Sequence, residues 1–447
     1  MDTMKAVFVS SLFLISSISA QKPKVLLFLI DGLRYDQFGY ELPAFHNVEM
    51  NGVRAEWMDG AFVSLSAPSM YTIATGLHPE CHGVVHNLYY DPETGAKTTS
   101  YSATLNVSEW WDTGAEPIWV TAKLNGLSVG NIMYPGGMKE VKGIVPDKII
   151  PSDSWWWRNM PLSDRIDLAM EWLIEDDFDL VLLYADKPDT ISHTFGTDSP
   201  AVKASLDIID SNVQKLFDLI EENGLTDILN VIMVSDHGHI NFRRGKQIRL
   251  YDYINETDLD FHMANYGPTF QLLPKEGKMD KVYDALKDKV EGMNIYKKAE
   301  FPERLHYANH PRILPILGFV EPGWFIYTDA LSLLLPDEKD PLNIQQDVDR
   351  IFGSQHGYDT RHMAMKSYFM AKGPFFKEGY RASPISSVDI YGMMCDILNL
   401  PEAPNNGSRA RYVDMLKEDQ EDSALNFTSS WLTLYLAVLT ICLLLKT

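Results

Sequence analysis

Three stretches of the chain, KVLLFLI (24–30), LVLLY (180–184) and LNVIMVS (229–235), are short apolar runs without the alternation of a half-wet strand. A strand with one face in water alternates apolar and polar residues. An unbroken run needs cover on both faces, as in a parallel sheet packed between helices. The covering helices are also readable. DRIDLAMEWLIED and AVKASLDIIDSNVQKLFDLIEENG space their apolar residues by three and four, and Gly224 closes the second. The pattern predicts an α/β fold, a mostly parallel sheet flanked by helices. One domain is expected over residues 21–420, with the less regular, proline-jointed stretch 245–345 as an insertion or cap in the second half.

A chain of 447 residues can bury such a core without a disulfide framework. Its cysteines are Cys81, Cys395 and Cys442, and the last lies in an apolar tail, so the body can hold at most one internal bridge. The formal net charge is -22, which argues against a nucleic-acid polymer as partner. A small phosphate ester at a metal site is still compatible with it, because bound cations reverse the local field.

The ends read as addresses. MKAVFVSSLFLISSISA joins a lysine to an apolar run and closes on Ala20, so residues 1–20 are expected to be a secretory signal. WLTLYLAVLTICLLL (431–445) is apolar and uncharged but short for a spanning helix. With Ser423 and Ala424 upstream of a polar spacer, it suits a lipid-anchor signal, a short transmembrane tail being the alternative. Acceptor triplets at Asn106, Asn255, Asn406 and Asn426 agree with an extracellular, glycosylated body held at the membrane by its C-terminus.

In such sheets ligands sit beyond the carboxyl ends of the strands. LIDGLR puts Asp31 there, LYADKPDTISH puts Asp189 and His193 four residues apart, and MVSDHGH puts Asp236 beside His237. GSQHGYD adds His356 in a glycine-bounded loop. An Asp after a strand is often only a helix cap, but carboxylates and imidazoles gathered in this way are the usual ligands of zinc. Adjacent Asp236 and His237 point to different sides, which suits two metals.

The order Asp31, Ser66, Asn87, Asp189-x-x-x-His193, Ser235-Asp236-His237-Gly238 and His356-Gly357-Tyr358-Asp359 resembles the ectonucleotide pyrophosphatase/phosphodiesterases, members of the alkaline phosphatase superfamily. The resemblance runs from about residue 23 to 415 and includes YTIATGLHPECHGVVHNLYYDP and KGPFFKEGYRASPISSVDIYGMMCDIL. It implies an alkaline-phosphatase-like fold and two Zn2+ ions, one on Asp189, His193 and His356, the other on Asp31, Asp236, His237 and Ser66. Ser66, two residues before Pro68, stands at the nucleophile's position. It would attack phosphorus and form a phosphoryl ester that water then opens. Asn87, with the Ser66 backbone N–H, would hold a non-bridging oxygen. Ser64 and Ser69 read as caps or turn residues. HPECHGVVH, with His78, Cys81, His82 and His86, is too loosely spaced for a further metal, and His239 reads as a residue that supports a ligand from behind or lies at the surface.

Serine at 66 in place of threonine, with GAEPIWVTA, EPGWFI and APNNGS, is similar to the choline-specific glycerophosphodiesterase branch. That implies glycerophosphocholine or lysophosphatidylcholine as substrate. A trimethylammonium group needs aromatic faces and a negative charge. Tyr184, Asp186 and Trp157, in the run Trp155-Trp156-Trp157, are the candidates. The chain departs from that branch in having Lys187 beside Asp186 and no cysteine between 140 and 155. Two other readings stay open: a pyrophosphatase/phosphodiesterase acting on nucleotides or dinucleotides, and a catalytically silent adhesion or signalling protein.

Overall fold

The structure, a computed structural model, describes residues 22–38, 41–152, 159–243, 245–264, 267–328 and 353–417. At its centre is an eight-stranded sheet in the order Tyr380–Ala382, Val53–Ala55, Phe369–Lys372, Leu229–Val234, Lys24–Ile30, Leu180–Ala185, Val129–Ile132, Lys148–Ile150. Every neighbouring pair is parallel except the two made by Phe369–Lys372.

The central strand explains the unbroken apolar runs. Val25, Leu27 and Leu29 point into one core and Leu26, Phe28 and Ile30 into the other, all fully buried. The first core is shared with helices Ser66–Thr75, Ile118–Leu124 and Asp389–Leu398, the second with Pro43–Asn51, Leu162–Ile174 and Pro200–Glu222. Both faces are therefore dry, and truncating a leucine here to alanine should cost about 2–5 kcal/mol.

Within residues 245–345, Leu259–Met263, Thr269–Pro274, Ile316–Val320 and Met293–Lys297 form a separate antiparallel sheet in that order. Phe270, Leu272, Val282 and Ile316 belong to a core of its own. These strands are five or six residues long, and the periodicity that marks the central sheet is absent from them.

Asn106, Asn255 and Asn406 are exposed. Cys81 and Cys395 are free thiols, one exposed and one buried. Among the described residues no helix is long and apolar enough to cross a membrane. Residues 1–20 and 431–445, Asn426, Cys442 and the Trp155–Trp157 run lie outside the described residues. One local expectation is corrected. Ser69 is neither cap nor turn: it lies inside helix Ser66–Thr75, its hydroxyl buried without a hydrogen-bond partner among the described residues.

Candidate metal centre and active site

The three central strands deliver their carboxylates to one place. Leu29 pairs with Val234 and Ile30 with Ala185, so Asp31 emerges level with Asp236 and Asp186. Backbone bonds carry the alignment past the strand ends: Asp31 N–H donates to the Ala185 carbonyl (2.9 Å) and Asp189 N–H to the Asp31 carbonyl (3.1 Å). Gly32 permits this approach. Its φ is +70°, and a Cβ there would stand 2.9 Å from Asp189 Cα.

Two clusters result. In each, the ligand-capable atoms lie within 4.8 Å of one another: Asp189, His193, His239 and His356 in the first, Asp31, Asp236 and His237 in the second, so Asp236 and His237 join one cluster instead of dividing between two metals. The His237 and His356 rings stack at 3.5 Å, so the two clusters share a wall. In the first, Asp189 Oδ1 lies 3.3 Å from His193 Nε2, 3.7 Å from His356 Nε2 and 2.6 Å from His239 Nε2. His356 Nδ1 sits 2.8 Å from the Ser64 carbonyl and His193 Nδ1 3.3 Å from the Ser354 carbonyl. A carbonyl only accepts, so each Nδ1 carries the proton and each Nε2 offers a lone pair to the site.

The second cluster tests whether a cation belongs there. Tyr184 Oη–H donates to Asp31 Oδ2 (2.6 Å), and Gly32 N–H donates to Asp236 Oδ1 (3.1 Å). The remaining oxygens, Asp31 Oδ1 and Asp236 Oδ2, are buried without a hydrogen-bond partner among the described residues. Two such oxygens side by side cost several kcal/mol in desolvation and repel each other. A divalent cation removes both penalties, and the donor set fits one.

The titrations have the same sense. Burial, then the charges of Asp236 and Asp189, pushes the Asp31 carboxyl well above its ordinary range. Burial would raise Asp189 as well, but His193 and His239 outweigh it and hold that carboxyl well below its ordinary range. His193 is raised: burial lowers it, but Asp189 prevails. Burial, then neighbouring His237 and His239, keeps His356 far below the usual imidazole range, and burial brings His239 down to about 4.

Ser66 stands over this centre. It is the first residue of its helix, and Leu65 occupies the capping position, so the Ser66 hydroxyl is not spent on a cap. Its Oγ lies 3.4 Å from His237 Nε2. Ser64 is engaged elsewhere, donating to the Tyr358 carbonyl. Asn87 Oδ1 accepts from Ala67 N–H (2.9 Å), which leaves the amide NH2 as the donating end. A cavity of about 550 Å³ opens here, lined by Ser66 and Asn87, by Tyr101, Leu105, Met133 and Tyr184, and by Asp186, Asp189, His193 and His356.

The head-group candidates are placed less simply. Tyr184 and Asp186 line the cavity, but the Tyr184 hydroxyl is committed to Asp31. Asp186 pairs with buried Arg165 at 3.2 Å. Trp157 lies outside the described residues. His82 and His86 are buried, lowered by burial to about 3, and belong to neither cluster. His239 is fully buried within the first cluster, not at the surface. Its only sequence signal is its place two residues after His237. Ser354, which touches two of the histidines, carried none.

A hydroxyl at a helix start, set against two adjoining carboxylate–imidazole clusters, is the arrangement of a metal-assisted phosphoryl-transfer enzyme. Residues 25–359 match the family described as type I phosphodiesterase / nucleotide pyrophosphatase. The chain is 37% identical over 407 residues to human ectonucleotide pyrophosphatase/phosphodiesterase family member 7, covering 88% of this chain and 83% of that protein. It is 32% identical over 398 residues to a mouse bis(5'-adenosyl)-triphosphatase, covering 88% and 81%. Inactive murine ectonucleotide pyrophosphatase/phosphodiesterase 5 in complex with AMP superposes with a TM-score of 0.79 at 30% identity, over 89% of this chain and 100% of that one. The chain belongs to the ectonucleotide pyrophosphatase/phosphodiesterase family.

Proposed function

We propose that the protein is an extracellular two-zinc phosphodiesterase that hydrolyses choline phosphodiesters, such as glycerophosphocholine or lysophosphatidylcholine, through a seryl-phosphoryl ester. The observation that carries the metal chemistry is the pair of buried Asp31 and Asp236 oxygens that make no hydrogen bond among the described residues, with His237 Nε2 at 3.6 and 3.1 Å, beside Ser66. Asp189, His193 and His356 would hold one zinc; Asp31, Asp236, His237 and Ser66 Oγ would hold the other. Mixed carboxylate and imidazole donors suit zinc. Bound there, zinc supplies Lewis acidity and lowers the pKa of an attached hydroxyl.

The chain's own groups do the rest. Ser66 Oγ gives its proton to water and forms a bond to phosphorus, while the bond from phosphorus to the alcohol oxygen breaks and that oxygen takes up a proton from water as the alcohol leaves. The backbone N–H of Ser66, in the first turn of its helix, has no intrahelical partner. With the Asn87 NH2 it supplies donors for a non-bridging oxygen. Water then displaces Ser66 and frees the phosphomonoester. Residues 1–20 and 431–445 keep their reading as secretory signal and membrane anchor.

The choline reading is supported by Tyr101 and Tyr184 on the cavity wall, by the apolar Leu105 and Met133, and by Asp186. A competing reading, a nucleotide substrate, draws on Arg165, which offsets the Asp186 charge. The test is kcat/KM for p-nitrophenyl-phosphocholine and for p-nitrophenyl-thymidine monophosphate, measured in parallel on the zinc-loaded ectodomain. Two aromatic contacts of about 0.5–2 kcal/mol each predict a choline preference of roughly tenfold to a thousandfold. A preference for the thymidine ester would move the substrate to nucleotides and leave the metal chemistry standing.

A further inference from the structure

We infer that His239 is a positioning residue for the first metal, holding the ligand oxygen of Asp189 through a hydrogen bond without itself touching the ion. The distances separate these roles. Two atoms bound tetrahedrally to one zinc, each at about 2.0–2.2 Å, stand roughly 3.3 Å apart. His193 and His356 approach Asp189 Oδ1 at 3.3 and 3.7 Å, compatible with sharing an ion with it. His239 Nε2 is only 2.6 Å away, too close for co-ligation but suited to an N–H donated to a carboxylate.

The far side of the ring is held by Ser354. A carboxylate only accepts, so Nε2 carries the proton, and the Ser354 Oγ lies 3.1 Å from Nδ1 on the other edge of the ring. That hydroxyl donates its proton to the Ser192 carbonyl at 2.7 Å. The Ser354 carbonyl meanwhile takes the Nδ1–H of His193. Ser354 pairs with Asn241 in the short ladder directly after His239, so the ladder fixes both contacts. Ser354 thus flanks the His239 ring on one edge and the metal ligand Asp189 takes its Nε2–H on the other, with all three residues buried. Donors of this kind typically contribute 10- to 100-fold to metal affinity.

The inference rests on the two-metal reading, and its test keeps the two apart. Zinc stoichiometry and affinity are measured by competition with a chelator on the purified wild type and on His239→Leu and His239→Gln. Visible spectra of the Co2+-loaded forms are recorded in parallel. The wild type should bind two ions. His239→Leu should weaken one of them 10- to 100-fold, with an unchanged Co2+ spectrum at saturation. His239→Gln, which keeps a side-chain donor, should recover part of the loss, so a leucine variant that fails to fold leaves the glutamine arm to decide. Two results overturn the inference: full affinity in His239→Leu, or an altered Co2+ spectrum with no recovery in His239→Gln, which would make His239 a ligand. A wild type that binds no metal removes the two-metal reading itself.

Discussion

Tyr184→Phe separates two roles that one side chain could play. The ring faces the cavity, where a choline group could rest on it, while the hydroxyl donates to Asp31 Oδ2 at 2.6 Å. Phenylalanine keeps the face and removes only the donor. A hydrogen bond to an ionised group contributes about 1.5–3 kcal/mol, so the second cluster should lose roughly 10- to 150-fold in zinc affinity. The loss should depend on pH. The Tyr184 hydroxyl lowers the pKa of Asp31, which burial and the neighbouring carboxylates already raise. Without it the proton competes harder with the metal. The deficit is then largest at low pH and shrinks once pH exceeds the raised Asp31 value. Chelator competition across pH, with kcat/KM at saturating zinc, reads both effects. Excess zinc should restore Tyr184→Phe, with a near-normal KM for the phosphocholine ester, whereas Tyr184→Leu should also raise that KM. Wild-type zinc affinity in Tyr184→Phe would refute the brace. So would a KM raised as far as in Tyr184→Leu.

Ser66→Ala should lose nearly all turnover while retaining most of its zinc, and Ser66→Thr should keep part of the activity, as measured by steady-state rates with metal analysis. Asn87→Ala should lower kcat by about 100- to 1000-fold through loss of the amide donor, with metal content unchanged. Metal affinity should rise with pH, because the raised pKa values of Asp31 and His193 mean that each must lose a proton to bind an ion; titration calorimetry in buffers of different ionisation enthalpy counts those protons. In excess chelator, thermal stability should fall as pH rises above about 6.5, the ordinary imidazole value, toward the raised folded values of Asp31 and His193. A group whose pKa is raised by folding stabilises below its unfolded value and loses that contribution as pH climbs through the folded one. Saturating zinc should flatten the decline.

The central sheet and the carboxylates at its strand ends were legible because two local rules suffice. An unbroken apolar run marks a strand covered on both faces, and the residue after such a strand in this architecture faces the ligand crevice. Asp31 directly follows its strand, Asp236 comes two residues after its own, and Asp189 opens the helix four residues after its strand. The second sheet was not legible: its strands are short, and Gly318 faces Phe270 where periodicity would place a side chain. Ser66 was found through its resemblance to a nucleophile motif; the hydroxyl run alone did not separate it from Ser64 and Ser69.

The cavity wall depends on contacts that no local pattern records. Arg165 reads as an ordinary helix charge, yet it is buried and reaches the Met160 and Tyr184 carbonyls and the Asp186 carboxylate. That pair changes what Asp186 can do. A lone carboxylate on the wall would attract a trimethylammonium group over several ångströms. A carboxylate already paired with a guanidinium presents mainly a dipole, whose field falls off faster. Selectivity for choline would then rest on ring faces and shape, with Asp186 contributing only at contact. A nucleotide phosphate would find the same pair close to neutral. The pair therefore weakens long-range charge selectivity at this wall for a cationic head group and for an anionic phosphate alike.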